Sequence, residues 1–208
     1  MEVVGKVIQG SVDKLQRISF AWVHGKEKET IHDVISDDSF LRDIVFSINH
    51  LDKYTLLTLE EKIEHIQRLG IVSWTGDSKA NAKAASQIDR LIKIFEDETE
   101  SIEIRIEIIK TLSLICCSSK ASQNKLREDG FLSYMIEILR LTDPKLIDLQ
   151  KWIVHALGSV LCDNTENQRY VLSFHHMKDT LSRFQTESWF CWRRNEATFL
   201  VSVLFFGK

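Results

Sequence analysis

The chain has 208 residues, of which 44% are hydrophobic and 27% charged, and its formal net charge at pH 7 is −3. This is the composition of a folded protein with a continuous apolar core, and the small net charge gives no reason to expect nucleic-acid or membrane-surface binding. No segment approaches the roughly 20 apolar residues of a membrane helix, and the N-terminus lacks the apolar core of a signal peptide. The four cysteines show no disulfide framework, so we expect a cytoplasmic or nuclear protein with reduced thiols.

The first 34 residues carry apolar side chains at helical spacing but lack the pattern of the rest of the chain. This apolar stripe consists of Val4, Val7, Ile8, Val12, Leu15 and Ile18. Because a stack of repeats needs a first element with one covered side and one polar side, we interpret residues 1–34 as an N-terminal helical cap. A mobile tail is the alternative interpretation.

The first regular unit contains a middle helix and a long helix. Helical spacing predicts the middle helix from Phe40 to Leu51 and the long helix from Leu59 to Trp74. Thr58 stands before the long helix with Glu61 three residues later, which is the pattern of a capping box.

The second unit repeats this order of elements. Apolar residues from Ala82 to Phe95 follow one helical stripe, and residues 96–100 form an acidic linker. The long helix is predicted from Ile102 to Cys116. Glu103 and Glu107 near its start suit the positive end of the helix dipole.

The third unit contains three helices. Residues 124–130 predict a short helix that ends at Gly130, because glycine enters the left-handed conformation at least cost. A second helix is predicted from Phe131 to Leu141. The long helix covers residues 146–161, with Asp143 as its N-cap and Pro144 at its first position.

A four-residue sequence motif that begins with leucine recurs near the end of each long helix. Its leading residues, Leu69, Leu112, Leu157 and Leu200, are 43, 45 and 43 residues apart. A period in the forties is typical of stacked helical repeats, in which each unit buries its apolar face against the next.

The third unit resembles an armadillo repeat. It has Gln123-Asn124 at its start, Gly130 between its first two helices, and Ala156-Leu157-Gly158-Ser159 in its third helix. The fourth unit begins at Asn167, which is 43 residues after Asn124. Ser173 stands where the family pattern has glycine, so the turn after this short helix departs from the family.

The resemblance implies an all-α fold, a right-handed armadillo-like α-solenoid of about four three-helix repeats. The predicted repeats cover about residues 35–76, 77–119, 120–164 and 165–208, after the N-terminal helical cap at 1–34.

The resemblance also implies a binding groove, because the third helices of armadillo repeats line the concave face. Two groove positions flank each leading leucine, two residues before it and two after it. In this chain they are Gln67, Ile71, Lys110, Leu114, His155, Ser159, Thr198 and Ser202. Nuclear-import receptors of the family carry Trp and Asn there, and this chain carries neither, so we do not expect it to be such a receptor. Trp152 is assigned to the core, with the border of the groove as the alternative.

Candidate reactive or ligand-binding residues occur in three places. His175 and His176 are adjacent, so on a helix they point about 100° apart and are poorly placed to share a metal ion. His155 and Cys162 are the one pair that we would test for nucleophilic catalysis. Three aromatic residues lie near Arg193 and Arg194, and this combination of aromatic and basic residues is typical of proteins that bind single-stranded nucleic acid by stacking. Core packing of the aromatic residues on the last helix is the favoured interpretation. These residues are Trp189, Phe190 and Trp192.

The sequence therefore predicts no catalysis, no metal, no cofactor and no nucleic-acid partner. The favoured function is a non-catalytic protein–protein interaction scaffold that binds a peptide or helix along its concave face. The alternative is a structural subunit that assembles, with another protein or with its own copies, through an apolar C-terminal end at Phe205 and Phe206.

Overall fold

The computed structural model describes residues 37–117, 119–189 and 194–206. The predicted cap at residues 1–34 lies outside these ranges. The chain divides into two compact units, one formed by Met1–Ile35 with Trp189–Arg193 and the other by Ser36–Ser188 with Arg194–Lys208. The helices described below belong to the second unit, and no strand occurs in the described ranges.

Eleven α-helices follow one another in the described part of the chain. They are α1 Asp37–Leu51, α2 Leu59–Thr75, α3 Ser78–Ala85, α4 Ile88–Glu96, α5 Ile102–Cys116, α6 Lys120–Glu128, α7 Phe131–Arg140, α8 Ile147–Leu161, α9 Thr165–Leu172, α10 Met177–Gln185 and α11 Glu196–Val201. Two 3₁₀ turns, Tyr54–Leu56 and Pro144–Leu146, precede α2 and α8, and a π-helical turn, Ser202–Phe206, extends α11.

The long helices form the spine of this unit. Helix α2 packs on α5, α5 packs on α8, and α8 packs on α11, so that each long helix meets the one a repeat away. The leading leucines of the recurring phrase, Leu69, Leu112, Leu157 and Leu200, are all buried. The leading leucines therefore mark the side of each long helix that is shielded from water.

Of the two predicted N-caps of long helices, the structure confirms the one at Thr58. Thr58 and Glu61 form the capping box, with the Thr58 backbone N–H donating to the Glu61 carboxylate over 2.8 Å and the Glu61 N–H donating to Thr58 Oγ1 over 3.3 Å. Asp143 accepts from the backbone N–H of Lys145, but it caps the 3₁₀ turn Pro144–Leu146 and not α8, whose N-cap is Leu146 without a side-chain bond. The prediction of Asp143 as N-cap of the long helix is therefore wrong, whereas the capping box fixes the start of α2.

A ladder of buried amide side chains joins successive repeats. Asn81, Asn124 and Asn167 stand at the same place in the three short helices, 43 residues apart. Asn167 Nδ2 donates to the carbonyl oxygens of Gln123 and Val160 over 3.0 and 3.1 Å. Asn124 Oδ1 accepts from Asn164 Nδ2 over 2.8 Å. Asn167 thereby gives a partner to the Val160 carbonyl, which lies in the last turn of a long helix and has none within that helix, and it ties this turn to the short helix of the preceding repeat.

The turns that follow the short helices α6 and α9 differ in length, because one contains glycine and the other serine. Gly130 has a φ of 78°, so helix α6 can reverse into α7 after only two residues. Ser173 keeps a helical φ of −72°, and the connection from α9 to α10 takes the four residues 173–176. The departure from the glycine pattern therefore lengthens the turn.

Two helix predictions are corrected by the structure. The single helical stripe from Ala82 to Phe95 is two helices, α3 and α4, separated at Ser86 and Gln87. Ser86 Oγ donates to the carbonyl of Lys83 over 2.7 Å, which is a local bond that competes with helix continuation.

The last long helix is also shorter than its predecessors, and Trp189 lies before it in the first unit rather than on it. Asn195 starts α11 by accepting from the Thr198 N–H over 3.0 Å. Phe190 and Trp192 lie outside the described residues.

Candidate interaction surface

The predicted groove residues of α2, α5 and α8 lie at half-buried positions on the surface of the stacked long helices. These residues are Gln67, Ile71, Lys110, Leu114, His155 and Ser159, whereas Thr198 of α11 and Ser202 of the following π-helical turn are exposed. Three of the six are brought together by Glu107, which the sequence did not assign to this surface, and by Trp152, for which the border of the groove was the alternative place.

Gln67 and Lys110 meet at a shared carboxylate. Gln67 Nε2 donates to Glu107 Oε2 over 2.9 Å, and Lys110 Nζ donates to Glu107 Oε1 over 2.6 Å. Glu107 is only 9% exposed, so its charge depends on these two donors. The positive charge of Lys110 is therefore engaged within the protein, and it is less available to an acidic ligand than its sequence position indicates.

Lys110 is joined to His155 by an aromatic ring. The Lys110 ammonium lies 4.4 Å from the centroid of the Trp152 ring, and the Trp152 and His155 rings meet edge to face at 5.6 Å. Trp152 is half-buried, so of its two predicted places it fits the border of this surface better than a fully enclosed position in the core. We call the continuous row Gln67, Glu107, Lys110, Trp152 and His155 the polar strip.

His155 is uncharged at neutral pH. Burial, assisted by the positive charge of Arg194, lowers the pKa of the His155 imidazole to about 4 from its usual 6.5. The polar strip therefore carries one negative charge and one positive charge, which lie in contact with each other. Its other members offer hydrogen-bonding and aromatic groups without charge.

Acidification is expected to destabilise the fold through His155. Between pH 6.5 and about 4 the unfolded chain binds a proton that the folded imidazole does not, so stability is lost as the pH falls. From about pH 7.5 to about pH 5 the loss is about 2 kcal/mol. Urea unfolding of the wild type and of His155→Gln over this range measures it as the part of the pH dependence that the variant lacks. The exposed His175→Gln variant should retain that part, and an unchanged pH slope in His155→Gln would contradict the prediction.

The second groove position of each repeat contributes differently to the surface. Ile71 and Leu114 present apolar side chains. Ser159 instead holds two helices together, because its Oγ lies 2.9 Å from Ser113 Oγ of the preceding long helix. Ser202 Oγ donates to the carbonyl of Phe199 in its own helical segment over 2.7 Å and not to the polar strip. Thr198 is likewise not a member of the polar strip.

The structure covers only part of the predicted interface at the C-terminal end. Phe205 is half-buried in the π-helical turn, and the Phe206 side chain lies outside the described residues. Val203 of the same turn is 43% exposed.

A comparison with known protein families identifies the family of the chain. A model of the armadillo-like helical domain-containing protein 2 family matches residues 6–208. The chain belongs to this family. No curated protein and no solved structure matches the chain. Armadillo-like helical domains are typically non-enzymatic and form protein-interaction folds.

The two residues of the predicted nucleophilic pair, His155 and Cys162, are both uncharged at neutral pH. Burial and the adjacent Asp163 raise the pKa of the Cys162 thiol to about 12, so it is not a thiolate at neutral pH, and His155 is also uncharged. Among the described residues, no three His, Cys, Asp or Glu side chains lie where they could hold a metal ion. None of the described helices has the length and apolar character needed to cross a bilayer.

Proposed function

We propose that this armadillo-like chain is a non-catalytic scaffold that binds a peptide or a helix of a partner protein along the surface of its long helices. The proposal includes a right-handed solenoid of about four repeats, an N-terminal cap and a cytoplasmic or nuclear location. The observation that carries it is the polar strip, which crosses α2, α5 and α8 without interruption. A row that spans three repeats can contact an extended ligand at several points.

The chemistry of the surface supports a protein ligand. The strip supplies the Gln67 amide and the His155 imidazole, and Ile71 and Leu114 lie beside it as apolar contacts. Apolar contact with a few placed polar groups is the usual make-up of a protein-binding surface. The paired charges of Glu107 and Lys110 favour neither an acidic nor a basic ligand.

The test is capture of partners by the full chain with cross-linking and mass spectrometry. Ile71→Glu combined with His155→Glu places two carboxylates on the binding surface, and we expect retention of the captured partner to fall by about tenfold or more, because each charge must be desolvated. The matched control is Ala82→Glu with Ala121→Glu, which adds the same charge at exposed positions of α3 and α6. Equal retention by both double variants, with each folded by circular dichroism, would exclude this surface.

Assembly through the C-terminal end is the second proposal. It is favoured by the exposed Val203 in the same π-helical turn as Phe205 and Phe206. Light scattering of the full chain beside Phe205→Asp with Phe206→Asp tests it. A mass that falls to that of the monomer in the double variant supports assembly with its own copies, and a monomeric wild type at all concentrations refutes that form of the proposal.

A further inference from the structure

Two histidines stack on each other where α1 meets α2. His50 lies in the last turn of α1, and His65 lies on α2. Their ring centroids are 4.4 Å apart and the angle between the ring planes is 26°, so the rings lie face to face. The Phe46 ring contacts both, with its centroid 4.1 Å from that of His50 and 5.6 Å from that of His65. These rings are a direct contact between the two helices, and we call the two histidines the imidazole pair.

The two members of the imidazole pair have different surroundings. His65 is only 5% exposed, and its Nδ1 has no hydrogen-bond partner. His50 is half-buried, and its Nδ1 lies 2.8 Å from the carbonyl oxygen of Phe46, to which it can donate. That oxygen belongs to the carboxyl end of α1, where a positive charge is favoured. A proton on His50 therefore has an acceptor, whereas a proton on His65 Nδ1 has none.

A second proton on the imidazole pair is unfavourable. It would place two positive charges on rings whose centroids are 4.4 Å apart, in a contact from which most water is excluded. Burial lowers the pKa of the His65 imidazole from its usual 6.5, and the adjacent His50 lowers it further. When α1 is away from α2, both rings are in water and can each bind a proton. Acidification below pH 6.5 therefore favours separation of the two helices.

The carboxylates nearest to the imidazole pair are engaged with other groups. Glu64 and Glu61 act to raise the pKa of His65, and Arg68 acts against them. Glu64 Oε1 lies 3.0 Å from the Arg68 guanidinium, and Glu61 accepts from the Thr58 N–H in the capping box. The two acids therefore offset a second positive charge only in part.

Charged groups on the neighbouring helices are exposed or paired with other residues. Arg90 of α4 lies 2.7 Å from Asp52, beyond the end of α1, and Glu107 of α5 pairs with Lys110 in the polar strip. Arg105 of α5 donates to the carbonyl of Asp97. The exposed charged residues of α1, α3 and α5 include Arg42, Asp43, Lys79, Lys83 and Glu103. The response of the imidazole pair to acid is therefore set mainly by the two rings themselves.

We propose that the imidazole pair is an acid-sensitive switch, which holds α1 on α2 at neutral pH and releases α1 when both rings are protonated. The switch lies in the first repeat and does not depend on binding of a partner along the polar strip. The face of α1 that would be released carries Ile44 and Leu51, which are both 0% exposed in the closed structure. Acid thereby uncovers an apolar surface in the first repeat.

Hydrogen exchange of the full chain at pH 7.5 and at pH 5, followed by mass spectrometry, tests the switch. After correction for the intrinsic exchange rates, the opening equilibrium constant of α1 is expected to rise by about tenfold between these pH values. His65→Phe keeps an aromatic ring in the stack but cannot bind a proton, so it is expected to remove most of this rise. Equal protection of wild-type α1 at both pH values, or an equal rise in a folded His65→Phe variant, would overturn the inference.

Three further variants make the test specific to the imidazole pair. His50→Phe removes the other charge and is expected to suppress the rise as well, so it serves if His65→Phe does not fold. The matched control is His175→Gln with His176→Gln, an exposed pair whose ring centroids are 6.4 Å apart, and it should leave the rise unchanged. His155→Gln should also retain the rise in α1. Loss of the rise in the control double variant or in His155→Gln would assign it to other histidines and refute the switch.

Discussion

Replacing Gln123 with leucine is expected to reduce the free energy of unfolding by about 4 kcal/mol. Gln123 is 4% exposed, and its Nε2 donates to the carbonyl oxygens of Cys116, Ser159 and Cys162 over 3.1, 2.9 and 3.3 Å. Its Oε1 accepts from Asn164 Nδ2 over 3.0 Å. Leucine has a similar size but leaves these buried groups without their partner, and each such group costs about 1–3 kcal/mol.

The control is the same substitution one repeat later. Gln168 is half-buried and makes one bond, from Nε2 to the carbonyl of Leu161 over 2.8 Å. Gln168→Leu is expected to cost about 1 kcal/mol. Urea unfolding followed by circular dichroism measures both variants. Similar costs for the two would show that the bonds of Gln123 are replaced by water, contrary to the prediction.

Alanine at Gly70 and alanine at Gly158 are expected to act in opposite directions. Both glycines lie inside long helices, where alanine is favoured over glycine by about 1 kcal/mol. At Gly70 the new methyl group meets the Thr111 backbone at 3.0 Å. Thr111 does not yield easily, because its Oγ1 donates to the carbonyl of Ile66 over 2.8 Å and ties α5 to α2. At Gly158 the methyl group meets no atom within 4 Å.

Gly70→Ala should therefore lower the free energy of unfolding by about 1–2 kcal/mol, because the strain of overpacking exceeds the gain in helix propensity. Gly158→Ala should raise it by about 0.5–1 kcal/mol. Thermal and urea unfolding of the two variants beside the wild type give the comparison. A stabilised Gly70→Ala variant would contradict the prediction. It would mean that α2 and α5 move apart readily to accept the methyl group, and that their close approach does not favour one packing arrangement over another.

Local signals in the sequence located the long helices well. The capping box at Thr58 and Glu61 and the Asp143-Pro144 pair depend on neighbouring residues alone, so they can be recognised without tertiary structure. The break at Ser86 and Gln87 could not be found in this way, because the apolar spacing continues across it. The short last helix was missed for a related reason, since its apolar phrase does not reveal where the helix begins.

The candidate surface was predicted in its positions but not in its contacts. The family pattern placed Gln67, Lys110 and His155 on the long helices, yet Glu107 was interpreted only as a favourable acid near the start of its helix. Glu107 stands five residues before Leu112, and Trp152 stands five residues before Leu157. That equivalence could have indicated that both belong to the same row. The bond from Gln67 to Glu107 depends on the distance between two helices, which spacing along the chain does not reveal.

The amide ladder has a consequence for how this armadillo-like chain melts. Gln123, which stands beside Asn124 of the ladder, bonds to the long helix α5 of the preceding repeat and to the long helix α8 of its own, so the loss of either repeat strips hydrogen bonds from the other. Strong coupling between adjacent repeats makes partially unravelled states rare. We therefore expect the repeats from α3 to α11 to unfold cooperatively, in one transition, rather than fraying inward from an end.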